Sequence, residues 1–284
     1  MKVSETTFLF AKWQPNIPVD SGYYLSQRFT GAHVSALQAM LKTYISKDVD
    51  IACMTDDDSD LPSGVRGIPI PESAVPVDHL PKLGIYDDQV NSQMRPNIIY
   101  LDLDVMITGD FLSKLPDPEP LAVLATSHIK ILGLPILDHR LPIGATLRRL
   151  LRNKESEKKL LGPQKLNTSV VVFKRNSMAW LPEQFDYDSY SSSKANYERQ
   201  GLSGTDQLYL TSKLAVIPSW KPLGPKEGIY CPHPFQIRHQ ILPGNHKLLV
   251  FPGKDRNPWQ LAKSPGYEWI DEEYGSVGVD LGRL

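Results

Sequence analysis

Two carboxylates, Asp102 and Asp104, interrupt the apolar run Asn97-Ile98-Ile99-Tyr100-Leu101-Asp102-Leu103-Asp104-Val105-Met106-Ile107. The rest of the run has the composition of a strand buried on both faces. A lone ionised carboxylate is costly in such surroundings. Two of them at i and i+2 of an extended strand point to the same side, which makes the conflict worse. A divalent cation at the strand end resolves it, since carboxylate oxygens are the hard ligands that Mg²⁺ or Mn²⁺ takes. Such an ion in turn invites a diphosphate. The alternative is a strand-end pair that simply faces water.

The triplet Asp-x-Asp means little without its setting. It recurs at Asp48-Val49-Asp50, Asp56-Asp57-Asp58, Asp58-Ser59-Asp60 and Asp186-Tyr187-Asp188, always in polar or turn-like sequence that suits solvated surface acids. Only Asp102 and Asp104 break an apolar strand.

The elements that must position this pair alternate strand and helix. Thr7 to Trp13 reads as a buried strand. From Gly31 to Lys47, Val34, Leu37, Leu41, Tyr44 and Ile45 share one stripe of an amphipathic helix. Asp50 to Met54 is a second buried strand that runs into Thr55-Asp56-Asp57-Asp58, and a Pro-rich connection through Ile68-Pro69-Ile70-Pro71 follows. Leu80 to Tyr86 reads as the start of another helix, and Leu121 to Ala125 as a strand. This is the βαβ pattern of a mostly parallel sheet with helices on its faces. Ligands of such sheets sit beyond the carboxyl ends of the strands, where Asp56, Asp102 and Asp104 all fall.

The second half is less regular. Ala145 to Leu161 reads as a helix with Leu147, Leu150 and Leu151 beside Arg148, Arg149, Arg152, Lys158 and Lys159. A plain surface helix accounts for it; the functional alternative is a face for an anionic membrane or a phosphate-bearing acceptor. Val170 to Phe173 is a strand preceded by Asn167-Thr168-Ser169. The segment Gly204-Thr205-Asp206-Gln207 opens a helix with a polar cap, and Lys247 to Phe251 is the last strand.

Composition narrows the function. The 284 residues can bury a large core, and a net charge of -1 lends no support to nucleic-acid binding. Cys53 and Cys231 lack metal-ligand spacing and read as reduced thiols of a cytoplasmic protein. Glu5 falls where a signal peptide needs apolar residues, and no run approaches the roughly 20 apolar residues of a membrane span. Trp13, just after the first strand, suits either core packing or stacking on a base.

Taken in order, Met54-Thr55-Asp56-Asp57, Pro81-Lys82-Leu83-Gly84-Ile85-Tyr86, Tyr100-Leu101-Asp102-Leu103-Asp104, Asn167-Thr168-Ser169-Val170, Gly204-Thr205-Asp206-Gln207 and Phe251-Pro252-Gly253…Pro258-Trp259 resemble the motif series of GT-A glycosyltransferases. The nearest resemblance is to the family 8 group, which includes glycogenin and bacterial lipopolysaccharide hexosyltransferases. The resemblance implies one Rossmann-like GT-A domain over 1–284, with a nucleotide-binding part to about 125 and an irregular acceptor part beyond it. It also implies a UDP-sugar donor, Mn²⁺ or Mg²⁺, and transfer of a hexose with retention to a carbohydrate acceptor.

By position, Asp102 and Asp104 would hold the metal that bridges the phosphates, and Lys82 would approach the donor's phosphate or sugar. Asp56 matches the place where uracil or ribose is read. Asn167 and Ser169 match the turn beside the donor sugar, with Ser169 in place of the usual glycine. Gly253 and Arg256 fall in the C-terminal segment that meets the donor. Asp206 and Gln207 match the pair under the anomeric carbon.

One departure stands out. Family 8 enzymes supply a third metal ligand as a histidine where this chain has Val250. His246 shares strand parity with Val250 but lies four residues earlier, about 13 Å along an extended strand, and Asp255 is a further candidate. Two other functions stay open. A sugar-phosphate nucleotidyltransferase of like architecture would need a Gly-rich basic loop, whereas Ala11-Lys12-Trp13-Gln14-Pro15-Asn16 has one lysine and no glycine. A catalytically silent sugar-nucleotide-binding protein would account for the missing histidine.

Overall fold

The computed structural model describes residues 1–14, 29–74, 80–125, 129–131, 134–136, 166–192, 206–213, 216–217, 219–232, 237, 242, 244–251 and 257–284. The expected helix at 145–161, Gly253, Arg256 and Asp255 lie outside them.

The strands are β1 (Thr6–Lys12), β2 (Asp50–Thr55), β3 (Val65–Pro69), β4 (Asn97–Leu101), β5 (Val105–Ile107), β6 (Leu121–Ala125), β7 (Ile129–Ile131), β8 (Leu134–Ile136), β9 (Leu166–Lys174), β10 (Trp220–Leu223), β11 (Ile229–Tyr230) and β12 (Leu248–Val250). The α-helices are α1 (Gly31–Tyr44), α2 (Asp88–Asn91), α3 (Trp180–Glu183), α4 (Asp206–Lys213), α5 (Pro258–Leu261) and α6 (Glu268–Ser276).

Among the described residues a seven-stranded sheet runs in the order β10-β6-β9-β4-β1-β2-β3. β9 is antiparallel to both its neighbours, β4 and β6; the pairs β1–β2, β1–β4, β2–β3 and β6–β10 are parallel. The architecture is α/β and mostly parallel, as the βαβ alternation implies. A smaller sheet, β11-β12-β5, leans on it.

The core divides by strand parity. Phe8, Phe10, Ile51, Cys53, Ile99 and Leu101 face α1, β5, β12 and α6, packing with Val34, Leu37, Val105, Leu249 and Tyr274. Leu9, Ala52, Met54, Ile98 and Tyr100 face the other way, against Leu83, Tyr86, Leu181 and Tyr209. All seven residues of β1 are buried, which is why its centre, Phe8 to Ala11, is a continuous apolar run rather than an alternating one.

Three elements differ from the sequence reading. Val65 to Pro69, expected as part of a loop, is the edge strand of the sheet, where a proline is tolerated because the outer N–H groups need no ladder partner. Leu80 to Tyr86 is a fully buried 3₁₀ turn rather than the start of an α-helix. The apolar run 97–107 is not one strand: β4 stops at Leu101, Asp102 to Asp104 make a turn, and β5 joins the second sheet. Asp102 and Asp104 therefore flank a turn between two sheets instead of pointing together from one strand.

Candidate active site

β1, β2 and β4 run parallel, so their carboxyl ends share one edge of the sheet. Lys12 closes β1; its Nζ lies 2.5 Å from Asp60 Oδ1, while Asp60 Oδ2 accepts from Gly31 N at 2.6 Å at the start of α1. Asp56 follows β2, is exposed, and accepts from Gln14 N at 2.8 Å. It stands at the same edge as Asp102. Trp13 is partly buried against the core.

Antiparallel pairing of β4 with β9, Leu101 opposite Val170, brings Asn167, Thr168 and Ser169 alongside Asp102. Asp102 N donates to Ser169 O at 2.9 Å. Asn167 Oδ1 accepts from Ser169 N at 2.7 Å and so fixes the local turn of β9. The 3₁₀ turn presents Lys82 from the same face of the sheet as Tyr100.

Lys82 is the hub. Its Nζ, 6% exposed at residue level, lies 2.7 Å from Asp102 Oδ1, 3.2 Å from Thr168 Oγ1 and 3.6 Å from Asp206 Oδ2. It also sits 4.7 Å from the Tyr100 ring centroid. Tyr100 OH donates to Asp102 Oδ1 at 2.7 Å, and Thr168 Oγ1 donates to Asp206 Oδ2 at 2.6 Å. Lys82, Asp102, Ser169 and Asp206, read from separate motifs, thus share one cluster with Tyr100 and Thr168.

Neither Tyr100 nor Thr168 was singled out for a role from sequence. Tyr100 was legible in principle, since a residue two before Asp102 on a strand shares its face.

Burial works against the Lys82 ammonium, but the charges of Asp102 and Asp206 outweigh it and raise its pKa above the usual lysine value. Burial likewise pushes Asp102 up; Lys82, helped by hydrogen bonds with Ser169 and Tyr100, reverses this and holds it below the usual carboxylate range. At Asp104 the charge of Lys82 and a backbone hydrogen bond compensate only in part. Burial, and then the charge of Asp102, push it up to about 7. Tyr274 of α6 is raised as well, by burial and then by Asp104.

This donor set suits a divalent cation. Two carboxylates two positions apart along a turn, one of them left short of positive charge, are hard-oxygen ligands in want of a counter-ion. Among the described residues no three His, Cys, Asp or Glu side chains cluster closely enough to share an ion. β12 runs antiparallel to β5 with Val250 opposite Val105 and Leu248 opposite Ile107. His246 therefore lies past the far end of β5, where its carbonyl oxygen accepts from Thr108 Oγ1 at 3.5 Å. The register separates it from the carboxylate pair, while Val250 and Phe251 stand at the Asp104 end.

The C-terminal motif is anchored to α1. The Trp259 ring lies 4.4 Å from that of His33 and 6.0 Å from Phe29. Asn257, 1% exposed, has both side-chain amide atoms buried without a partner among the described residues, a state that costs on the order of 1–3 kcal/mol per group unless a ligand or water fills it. Gln207, beside Asp206 at the start of α4, is half-buried.

No family model matches this sequence, and no curated protein does. Among solved structures the chain is similar to the glycosyltransferase GlyE of Streptococcus pneumoniae TIGR4, with TM-score 0.50 and 13% identity over 98% of this chain and 62% of that one. It is similar also to the galactosyltransferase LgtC in complex with donor and acceptor sugar analogs, with TM-score 0.50 and 12% identity over 95% of each chain. A third likeness is to the apo structure of the bifunctional glycosyltransferase WbbM, at TM-score 0.50 and 12% identity over 95% of this chain and 49% of that one. The chain thus spans less than two thirds of GlyE and about half of WbbM. At such identities the likeness is one of fold: this chain has the mostly parallel α/β architecture of GT-A glycosyltransferases.

Proposed function

We propose that the chain is a metal-dependent glycosyltransferase that moves a hexose from a UDP-sugar to a carbohydrate acceptor with retention of anomeric configuration. The observation that carries this reading is the pair Asp102 and Asp104, two half-buried carboxylates flanking one turn at the carboxyl edge of the sheet, with Asp104 pushed up to about 7 by burial and by its neighbour. It asks for a cation at the edge of the sheet where ligands of such folds bind.

Asp102 and Asp104 would hold Mn²⁺ or Mg²⁺. Bound there, the ion would neutralise the charge that builds on the departing nucleoside diphosphate. Lys82 supplies a further positive charge in the same cluster, shielded from water. Asp56 and the exposed edge at Gln14 suit the nucleoside end of the donor. The unpartnered amide of Asn257, with Asn167 and Ser169, offers neutral hydrogen bonds to the donor, and Gly253 and Arg256 belong to the same C-terminal segment.

On the sugar side, Thr168 holds Asp206 as a hydrogen-bonding anchor for hydroxyl groups. Gln207 is too weakly basic for an ordinary nucleophile, and its role is to stabilise positive charge at the anomeric centre while the acceptor attacks on the face that UDP leaves.

The test is a hydrolysis screen of UDP-sugars with Mn²⁺, followed by transfer and assignment of the product anomer by NMR. An α-linked product from an α-configured donor is the expected result; a β-linked product overturns the roles given to Asp206 and Gln207. A second reading, a protein that binds the sugar nucleotide without turning it over, draws on Val250 and on the missing third ligand among the described residues. It predicts Mn²⁺-dependent UDP binding with no UDP release.

A further inference from the structure

We infer that Lys82 is the built-in counter-ion of the metal-free site: its ammonium competes with a divalent cation for Asp102 and withdraws onto Thr168 and Asp206 when the cation binds. This rests on the metal reading of Asp102 and Asp104 given above.

The geometry supplies both a reason to leave and a place to go. The ammonium has three protons, and its oxygen neighbours are Asp102 Oδ1 at 2.7 Å, Thr168 Oγ1 at 3.2 Å and Asp206 Oδ2 at 3.6 Å. Asp102 Oδ1 already accepts from Tyr100 OH at 2.7 Å, so that oxygen is fully engaged. A doubly charged ion on Asp102 would set like charges a few ångströms apart in a site where water screens poorly. The ammonium has a further anionic neighbour in the buried Asp206 carboxylate, whose Oδ2 is oriented by the Thr168 hydroxyl. A shift of about 1 Å toward Asp206 brings that pair to the length of a charge-assisted hydrogen bond.

One ammonium is therefore shared between the metal half and the sugar half of the site. Loading the metal delivers its charge to Asp206, the residue placed under the sugar. By linkage, the affinity for the ion depends on Asp206 even though Asp206 is not a ligand.

A double-mutant cycle on metal affinity reads this directly, using Mn²⁺ alone and titration calorimetry, with no turnover needed. Lys82→Met removes the competitor and should tighten Mn²⁺ binding on the order of tenfold. Asp206→Asn spoils the place of retreat and should weaken Mn²⁺ binding several-fold when Lys82 is present. In the Lys82→Met background that penalty should shrink several-fold. An Asp206→Asn penalty of equal size in both backgrounds would reflect through-space attraction alone and overturn the inference. Absence of Mn²⁺ binding by the unmutated chain is a different failure, because it takes down the metal reading itself.

Should the Lys82→Met chain not fold, the unmutated chain labelled with ¹⁵N-lysine carries the same test. The buried Lys82 ammonium resonance should move when Mg²⁺ binds; a resonance unmoved with Mg²⁺ bound overturns the inference.

Discussion

Thr168 Oγ1 donates a hydrogen bond of 2.6 Å to Asp206 Oδ2, tying the third residue of β9 to the first residue of α4 across 38 positions of sequence. Both groups are buried, at 2% and 6% exposure, so the bond is not exchanged freely with water. Losing the hydroxyl leaves a charged oxygen short of a donor, which costs more than the bond itself is worth.

Thr168→Val should therefore lower the transfer rate on the order of tenfold, with the larger effect on kcat than on KM. Thr168→Ser keeps the hydroxyl and should restore most of the rate. Steady-state kinetics of the two variants check this; equal losses in both would place the effect in packing rather than in the hydrogen bond.

Asp104 makes stability depend on pH in a defined direction. An unfolded aspartate titrates near 4, whereas the folded, metal-free chain holds Asp104 at about 7. Between these values the native state binds a proton that the unfolded state has released, so this group lowers stability as pH rises. Asp104→Asn should then melt above the unmutated metal-free protein, by a margin that grows from pH 4 to pH 8. Added Mn²⁺ should reverse the order, because only the unmutated chain gains from binding it. Thermal melts across that range, with and without metal, check both halves.

His33 works in the opposite sense. It is 3% exposed, its Nδ1 accepts from Thr30 N at 3.0 Å, and burial lowers its pKa to about 4. The unfolded chain binds the extra proton first, so stability is lost as pH falls from about 6.5 toward 4, by up to about 3 kcal/mol. His33→Gln can close the same capping box at the start of α1 without titrating, and should flatten that part of the profile measured by denaturant unfolding.

His246→Ala should leave Mn²⁺ affinity unchanged. The pairing of β12 with β5 puts His246 beside Thr108, at the end remote from Asp104. Calorimetric titration with Mn²⁺ decides it; a clear loss of affinity would return His246 to the metal site.

What could be read from sequence follows from which forces are local. The buried strands β1, β2 and β4 and the stripe of α1 announce themselves because each is apolar through its centre or at helical spacing. β3 does not, since Val65-Arg66-Gly67-Ile68-Pro69 carries an arginine, a glycine and a proline that only an edge position accommodates. The turn at Asp102 to Asp104 is hidden because Leu103 and Val105 are as buried as the strand before them. The run stays apolar while its pairing partner changes from β9 to β12. Pro81 and Gly84 hold Leu80–Tyr86 to a 3₁₀ turn where a helix is expected. Lys82, Asp102 and Asp206 could be named from their motifs, but their mutual distances depend on tertiary packing. The role of Thr168 needs Asp206 beside it, and no local pattern supplies that.

The central claim, that Asp102 and Asp104 hold a catalytic divalent ion for a UDP-sugar, is tested most directly by UDP release from a UDP-sugar panel. The unmutated chain and Asp104→Asn are compared after exhaustive chelation and again with Mn²⁺ restored. The unmutated chain should release UDP only when Mn²⁺ is present, and Asp104→Asn under neither condition. Turnover that survives chelation, or that Asp104→Asn retains, would contradict it.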